Sequence, residues 1–191
     1  MRFAVVFAAL LPIFAQPALA GETSADQMVG KACAAIKELG GGLKEKLVSA
    51  MKEGGPVAAL DVCNIDAPKI AAERSAASGM DVGRTALKVR NPNNAPDEFE
   101  KSVMEQFVAD LKAGADASKL DRAEVVMQDG KMVFRYMKPI MTASKPCLAC
   151  HGSELKPAVA SKIKELYPED NATGFSAGEM RGAFTVTKTL D

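Results

Sequence analysis

The sequence has no tryptophan, two tyrosines and a single histidine among 191 residues, and aromatic residues make up only 5% of it. The lone His151 excludes a bis-histidine metal or haem site within one chain. It also leaves no second imidazole for acid–base work if His151 is already engaged. An excess of one charge is missing too. Twenty-four basic residues face 24 acidic ones, which gives no electrostatic case for nucleic acid as a partner. Core-forming residues are not scarce: the chain is 48% apolar and 25% charged, which excludes a disordered polymer and suffices for one core or two small ones.

Long apolar runs are absent beyond the N-terminus. There, Arg2 precedes an apolar stretch from Phe3 to Ala15, and Ala18-Leu19-Ala20 offers small residues at the positions a signal peptidase reads. The stretch is too short to span a bilayer comfortably. Residues 1–20 therefore read as a signal peptide cleaved after Ala20, and Gly21 in place of Cys gives no lipoprotein anchor. The expected mature protein is periplasmic, with no stable membrane insertion after cleavage.

Residues 21–55 read as an N-terminal helical segment. Val29, Cys33, Ile36, Leu39, Leu43, Leu47 and Met51 recur at three- and four-residue steps. Gly40-Gly41-Gly42 either splits this helix or lets a neighbour pack close, and Gly54-Gly55-Pro56 ends it. A short helix from Pro56 to about Cys63 should break before Pro68, and another should run from Pro68 to Ser78 and stop at Gly79. Thr85, Leu87 and Val89 alternate with Arg84, Lys88 and Arg90, as on a half-buried strand. Asp97 caps a helix to about Lys112. Asp129-Gly130 predicts a hairpin whose second strand places Met132, Phe134 and Tyr136 on one face. A helix over Pro157–Tyr167 and a strand over Gly182–Lys188 complete an α+β chain with an antiparallel sheet. The long first helix packs outside the sheet or forms a dimer contact.

Cys147-Leu148-Ala149-Cys150-His151 is a C-x-x-C-H motif, the attachment signature of c-type haem. Two thiols three apart share one face of a helical turn, where each can form a thioether with a haem vinyl group. The adjacent imidazole then reaches the iron. With this composition the motif would arise by chance in about 4 chains per 10,000, and an export signal suits it. The competing readings are a redox dithiol and a zinc site. A dithiol of the thioredoxin type belongs after an early strand in a βαβ context, which is not the setting here. Zinc would need Cys33 and Cys63 as further ligands. For the sixth iron position, a Met, Cys33, Cys63, a Lys and an open site are all available. Met137 and Met141 lie nearest in sequence, and a Cys33–Cys63 disulfide is a further alternative in an oxidising compartment. Arg84 and Arg90 flank the Asn91–Pro96 loop. They suit haem propionates, or else line a solvated strand face. Phe134, Tyr136 and Phe175 are candidate pocket walls or ordinary core.

Val62-Cys63 followed by Ala67-Pro68, Arg84-Thr85 and Arg90-Asn91-Pro92-Asn93-Asn94-Ala95-Pro96-Asp97, then Glu100, form an ordered set. Pro139-Ile140, the C-x-x-C-H-Gly152 run, Tyr167-Pro168, Asp170, Ala172-Thr173-Gly174-Phe175 and Gly178-Glu179 with Arg181-Gly182-Ala183 continue it. In these residues the chain resembles a family of PAS-like c-type haem proteins, long catalogued as a domain of unknown function and also found as sensor modules of histidine kinases. The resemblance covers about Leu43 to Lys188. It implies a PAS-like antiparallel sheet flanked by helices over residues 56–191. It also implies one haem c held covalently through Cys147 and Cys150, with His151 on one side of the iron and Cys63 on the other. Phe99 stands where the family pattern carries Trp.

The expected function is that of an exported monohaem protein acting in redox or gas sensing, with CO, NO or O2 as ligands, or in electron transfer to a periplasmic redox partner or signalling protein. A structural zinc protein and a haem enzyme of peroxidase type are the alternatives. A non-catalytic role is favoured because no free His remains.

Overall fold

The computed structural model describes residues 24–190, so the signal-peptide reading of residues 1–20 lies outside the described residues. Helix α1 spans Ser24–Asp61 and buries Ala32, Ala35, Ile36 and Leu39 along one stripe. The glycine triplet does not split it. Gly40 lies against Phe184, whose ring a Cβ would approach to 3.1 Å, so the glycine lets helix and sheet come together. The expected end at Gly54-Gly55-Pro56 is a break within α1: Gly55 has φ 69° and ψ −163°, and Pro56 opens a second helical run.

Near Cys63 the chain does not break. Val62–Asp66 forms a π-turn in which the Ala67 N–H donates to the Val62 carbonyl, five residues back. Pro68 explains it. Proline has no N–H for the carbonyl four residues earlier, and its ring crowds that carbonyl. A locally wider turn relieves both, and the path continues into α2, Ala67–Ser78, which closes on Gly79 at φ 66°.

Strands β1 (Asp81–Thr85), β2 (Arg122–Gln128), β3 (Lys131–Met141) and β4 (Met180–Leu190) form one antiparallel sheet in the order β1-β4-β3-β2. This is the expected α+β class. The first strand lies earlier than its alternating pattern predicts, because the chain leaves the sheet at Ala86. The Ala86 N–H donates to the Asn94 carbonyl at 3.3 Å, and the carbonyls of Lys88 and Val89 are taken by Arg181 and the Asn171 N–H. A period-2 pattern marks an extended chain but not its partner, and here the partner is a loop.

Helix α3, Glu98–Lys112, starts with a capping box between Asp97 and Glu100. The β2–β3 hairpin turns at Asp129 (φ 50°) and Gly130 (φ 75°), as a two-residue loop requires. Phe134 and Tyr136 face α1 and join a core with Leu39, Val82 and Val186, whereas Met137 packs on the opposite face beneath α3 with Met104 and Phe107. Met132, assigned by pattern to the face of Phe134, lies at the hairpin end and is exposed. Helix α4 is a single turn, Leu148–His151, and α5 spans Pro157–Leu166, docking on α1 through Leu60, Val159 and Ile163. Each such fully buried side chain contributes about 1.5–3 kcal/mol. No helix among the described residues is long and apolar enough to cross a membrane.

Candidate functional site

The C-x-x-C-H segment folds as its spacing requires. His151 N–H donates to the Cys147 carbonyl at 2.9 Å and Gly152 N–H to the Leu148 carbonyl at 3.0 Å, closing one helical turn. Gly152 has a packing reason: a Cβ there would meet the Leu148 carbonyl oxygen at 2.7 Å. The chain from Ala172 to Phe175 then returns across this turn. Phe175 N–H donates to the His151 carbonyl at 2.9 Å and Gly174 N–H to the Gly152 carbonyl at 3.1 Å.

Cys63, Cys147, Cys150 and His151 line one cavity of about 240 Å³, with Leu47, Met51, Leu60 and Ile140 as apolar walls. The π-turn of Cys63 and the turn of α4 are far apart in sequence, and the cavity brings them together. All four cysteines are free thiols, so no Cys33–Cys63 disulfide forms. Cys33 lies elsewhere, with its sulfur 3.0 Å from the Tyr136 hydroxyl. Accordingly, no group of three or more His, Cys, Asp or Glu side chains among the described residues is placed to hold a metal ion, and the four-ligand zinc arrangement has no counterpart.

Other sequence candidates separate in the same way. Met141 lines the cavity; Met137 is buried under α3. Of the two readings open for Phe134 and Tyr136, pocket wall or core, the structure gives core. Phe175 meets the His151 ring edge-on, with centroids 6.3 Å apart. The aromatic wall of the cavity is Tyr167.

The cavity lining carries three arginines, Arg84, Arg90 and Arg181, and no Asp or Glu. Arg90 is already engaged. It pairs with Asp170 through two bonds of 2.9 and 3.0 Å, donates to the Cys150 carbonyl at 2.8 Å and reaches the Ala172 carbonyl at 3.3 Å. Both members of this ion pair are buried, at 8% and 7% side-chain exposure. Arg84 and Arg181 form no ion pair among the described residues, so the site holds an excess of positive charge. Burial lowers the pKa of Arg84, and it brings that of Arg181 down to about 10, with Arg90 adding to the effect.

The same environment sets the thiols and the imidazole. Burial raises the Cys63 pKa, against the pull of Arg84, Arg90 and Arg181. It brings Cys150 up to about 11 and Tyr167 to about 12. Burial, reinforced by Arg181 and Arg90, holds His151 down at about 3, so the ring is neutral at pH 7. Its Nδ1 lies 2.7 Å from the Ala172 carbonyl oxygen. A carbonyl cannot donate, so Nδ1 carries the proton and the Nε2 lone pair is left for a ligand. Arg181 Nε also lies 3.2 Å from Nδ1, but its N–H could donate only to the other tautomer. The shorter contact decides for Nδ1–H.

Sequence reasoning missed Arg181, Tyr167, Asp170 and Ala172 as site residues. All four lie in the run 167–182 that carries the resemblance, but no spacing rule links that run to the C-x-x-C-H turn. The link is made by strand β4 and the returning loop.

The donors fit a haem: two thiols on one turn, an imidazole with a free Nε2, a facing sulfur, apolar walls and unpaired guanidinium groups suited to carboxylates. Comparisons with known proteins support haem binding. No curated protein matches the chain. A solved structure described as that of the cyanobacterial heme-protein Tll0287 superposes with a TM-score of 0.63 at 27% identity, covering 86% of this chain and 96% of the other. The profile of the Tll0287-like family matches residues 18–188, and the chain belongs to that family.

Proposed function

We propose that the protein binds one haem c, attached through Cys147 and Cys150, with His151 and Cys63 as the axial ligands. The observation that carries this reading is the single cavity shared by Cys63 and the C-x-x-C-H turn, lined by three arginines and no carboxylate. Arg84 and Arg181 are the partners for the haem propionates, since Arg90 is held by Asp170. When bound, the haem supplies one-electron chemistry and an iron that can take a diatomic gas. Export after Ala20 would place the chain where such attachment occurs.

Cys63 sets the behaviour of the site. Its thiolate is costly in this buried setting and is held by nearby positive charge. With haem bound, Cys63 would hold the iron through Sγ, and a proton on that sulfur would release it. The residue then acts as a displaceable cap, which favours redox-gated sensing of CO, NO or O2. Electron transfer to a periplasmic partner is the second reading, and the exchange of one electron at a covalently held haem suits it. This reading favours neither a peroxidase nor another haem enzyme, because Cys63 as sixth ligand would take the position an acid–base group needs.

The deciding experiment is expression with haem-attachment machinery, followed by a haem-stained denaturing gel and absorption spectra of both oxidation states. Covalent haem with sulfur-to-iron charge-transfer bands in the oxidised form is expected. A gel without retained haem overturns attachment, and thioether bands move the sixth ligand to a Met such as Met141 or Met51. CO binding to the reduced form, absent from the oxidised form, is the expected mark of gating.

A further inference from the structure

The Arg90–Asp170 pair lies beside the histidine without touching it, and its bonds converge on one residue, Ala172. Asp170 Oδ1 accepts from the Ala172 N–H at 3.0 Å, and Arg90 donates to the Ala172 carbonyl at 3.3 Å. That carbonyl accepts from His151 Nδ1–H at 2.7 Å. Arg90 also donates to the Cys150 carbonyl, one residue before the histidine. One buried side chain thus ties the returning loop to the turn that bears the imidazole.

A rival stands at the same nitrogen. Arg181 Nε is 3.2 Å from Nδ1 and carries an N–H. If the Ala172 carbonyl withdrew, this N–H would donate to a bare Nδ1, and the proton would sit on Nε2. That tautomer has no lone pair to give to a metal on Nε2.

We propose that Arg90 and Asp170 are positioning residues that hold His151 as the Nδ1–H tautomer, by fixing the Ala172 carbonyl against competition from Arg181. The role extends the haem reading, since a free Nε2 is what an iron requires, but it is a property of the polypeptide itself. It also separates the three arginines by task. Arg90 orients, while Arg84 and Arg181 remain for carboxylates.

The sequence makes the test simple, because His151 is the only histidine. The full chain, produced without haem attachment and labelled with ¹⁵N-histidine, is measured by NMR near pH 8. The native chain should show the Nδ1–H tautomer. Asp170→Asn and Arg90→Lys should each raise the Nε2–H fraction about fivefold, the effect of one ordinary net hydrogen bond. Adding Arg181→Gln to Arg90→Lys should restore Nδ1–H, which a merely structural role for Arg90 would not do. Arg181→Gln alone keeps the Arg90–Asp170 pair and should leave Nδ1–H in place. An Nε2–H tautomer in the native chain or in Arg181→Gln alone overturns the proposal, as does an unchanged tautomer in both Asp170→Asn and Arg90→Lys. Failure of haem attachment in the native chain with the Nδ1–H tautomer present would overturn the haem reading and leave this one standing.

Discussion

The helical layer presents one cysteine at each of two regions, and the regions treat them differently. Cys33 sits in regular helix, on the stripe that packs against the sheet, and shares a hydrogen bond with the buried Tyr136, whose hydroxyl also donates to Asp121 at 2.8 Å. Cys63 sits in a π-turn and faces a cavity with three arginines. Both are half-buried cysteines. Backbone irregularity and surrounding charge are what differ, and they separate a core thiol from the thiol proposed as an iron ligand.

The sharpest way to break this comparison is at the covalent anchor. Replacing Cys147 and Cys150 together by Ser should abolish haem retained on a denaturing gel, whereas Cys33→Ser should leave it unchanged. Next in size is the sixth ligand. Cys63→Met should raise the reduction potential by on the order of 100 mV or more, within the ~0.8 V that axial ligands span, and Cys33→Met should not move it. Potentiometric titration of both variants reads the contrast directly.

A smaller effect appears at alkaline pH. The chain has two tyrosines, one in each region, and burial raises both above the ordinary value of 10, Tyr167 to about 12 and Tyr136 further. The unfolded chain therefore ionises first. Their contribution to stability is fully present below about pH 10 and is lost as pH rises through the folded-state values. A spectrophotometric titration of the haem-free chain should show little phenolate near pH 10.5, then release of both tyrosines with unfolding. Tyr136→Phe should cost about 0.5–1.5 kcal/mol in urea denaturation, the net worth of the lost hydrogen bond, since Asp121 is exposed to water. Cys33→Ala should cost less than that, since a thiol is a weak donor.

The proposed chemistry of the site is legible in the sequence because covalent haem attachment demands a contiguous motif. Cys147, Cys150 and His151 announce themselves by spacing, and Asp97 with Glu100 and Asp129 with Gly130 announce their cap and turn in the same local way. What escaped depends on contacts distant in sequence. The alternation of Leu87 and Val89 predicts a later first strand, yet the carbonyls of Lys88 and Val89 are taken by Arg181 and Asn171 and not by β4. Pro68 signalled an interruption near Cys63, but whether a helix breaks or bulges depends on what it packs against. From its place beside the Asn/Pro loop, Arg90 reads either as a propionate partner or as part of a solvated strand face. Its engagement with Asp170 could not be foreseen, because the two lie on separate segments that meet only in the folded chain.

The Arg90 bonds span 60 residues to Cys150 and 80 to Asp170. Closing loops of this length carries an entropy cost that must be met before any of these bonds forms. The orienting shell therefore assembles only when the chain as a whole has folded, late and cooperatively. A fragment ending soon after the C-x-x-C-H turn would keep both thiols and the imidazole yet lose the carbonyl that directs the ring. In this protein the C-x-x-C-H motif is local, but the setting of its imidazole belongs to segments far along the chain.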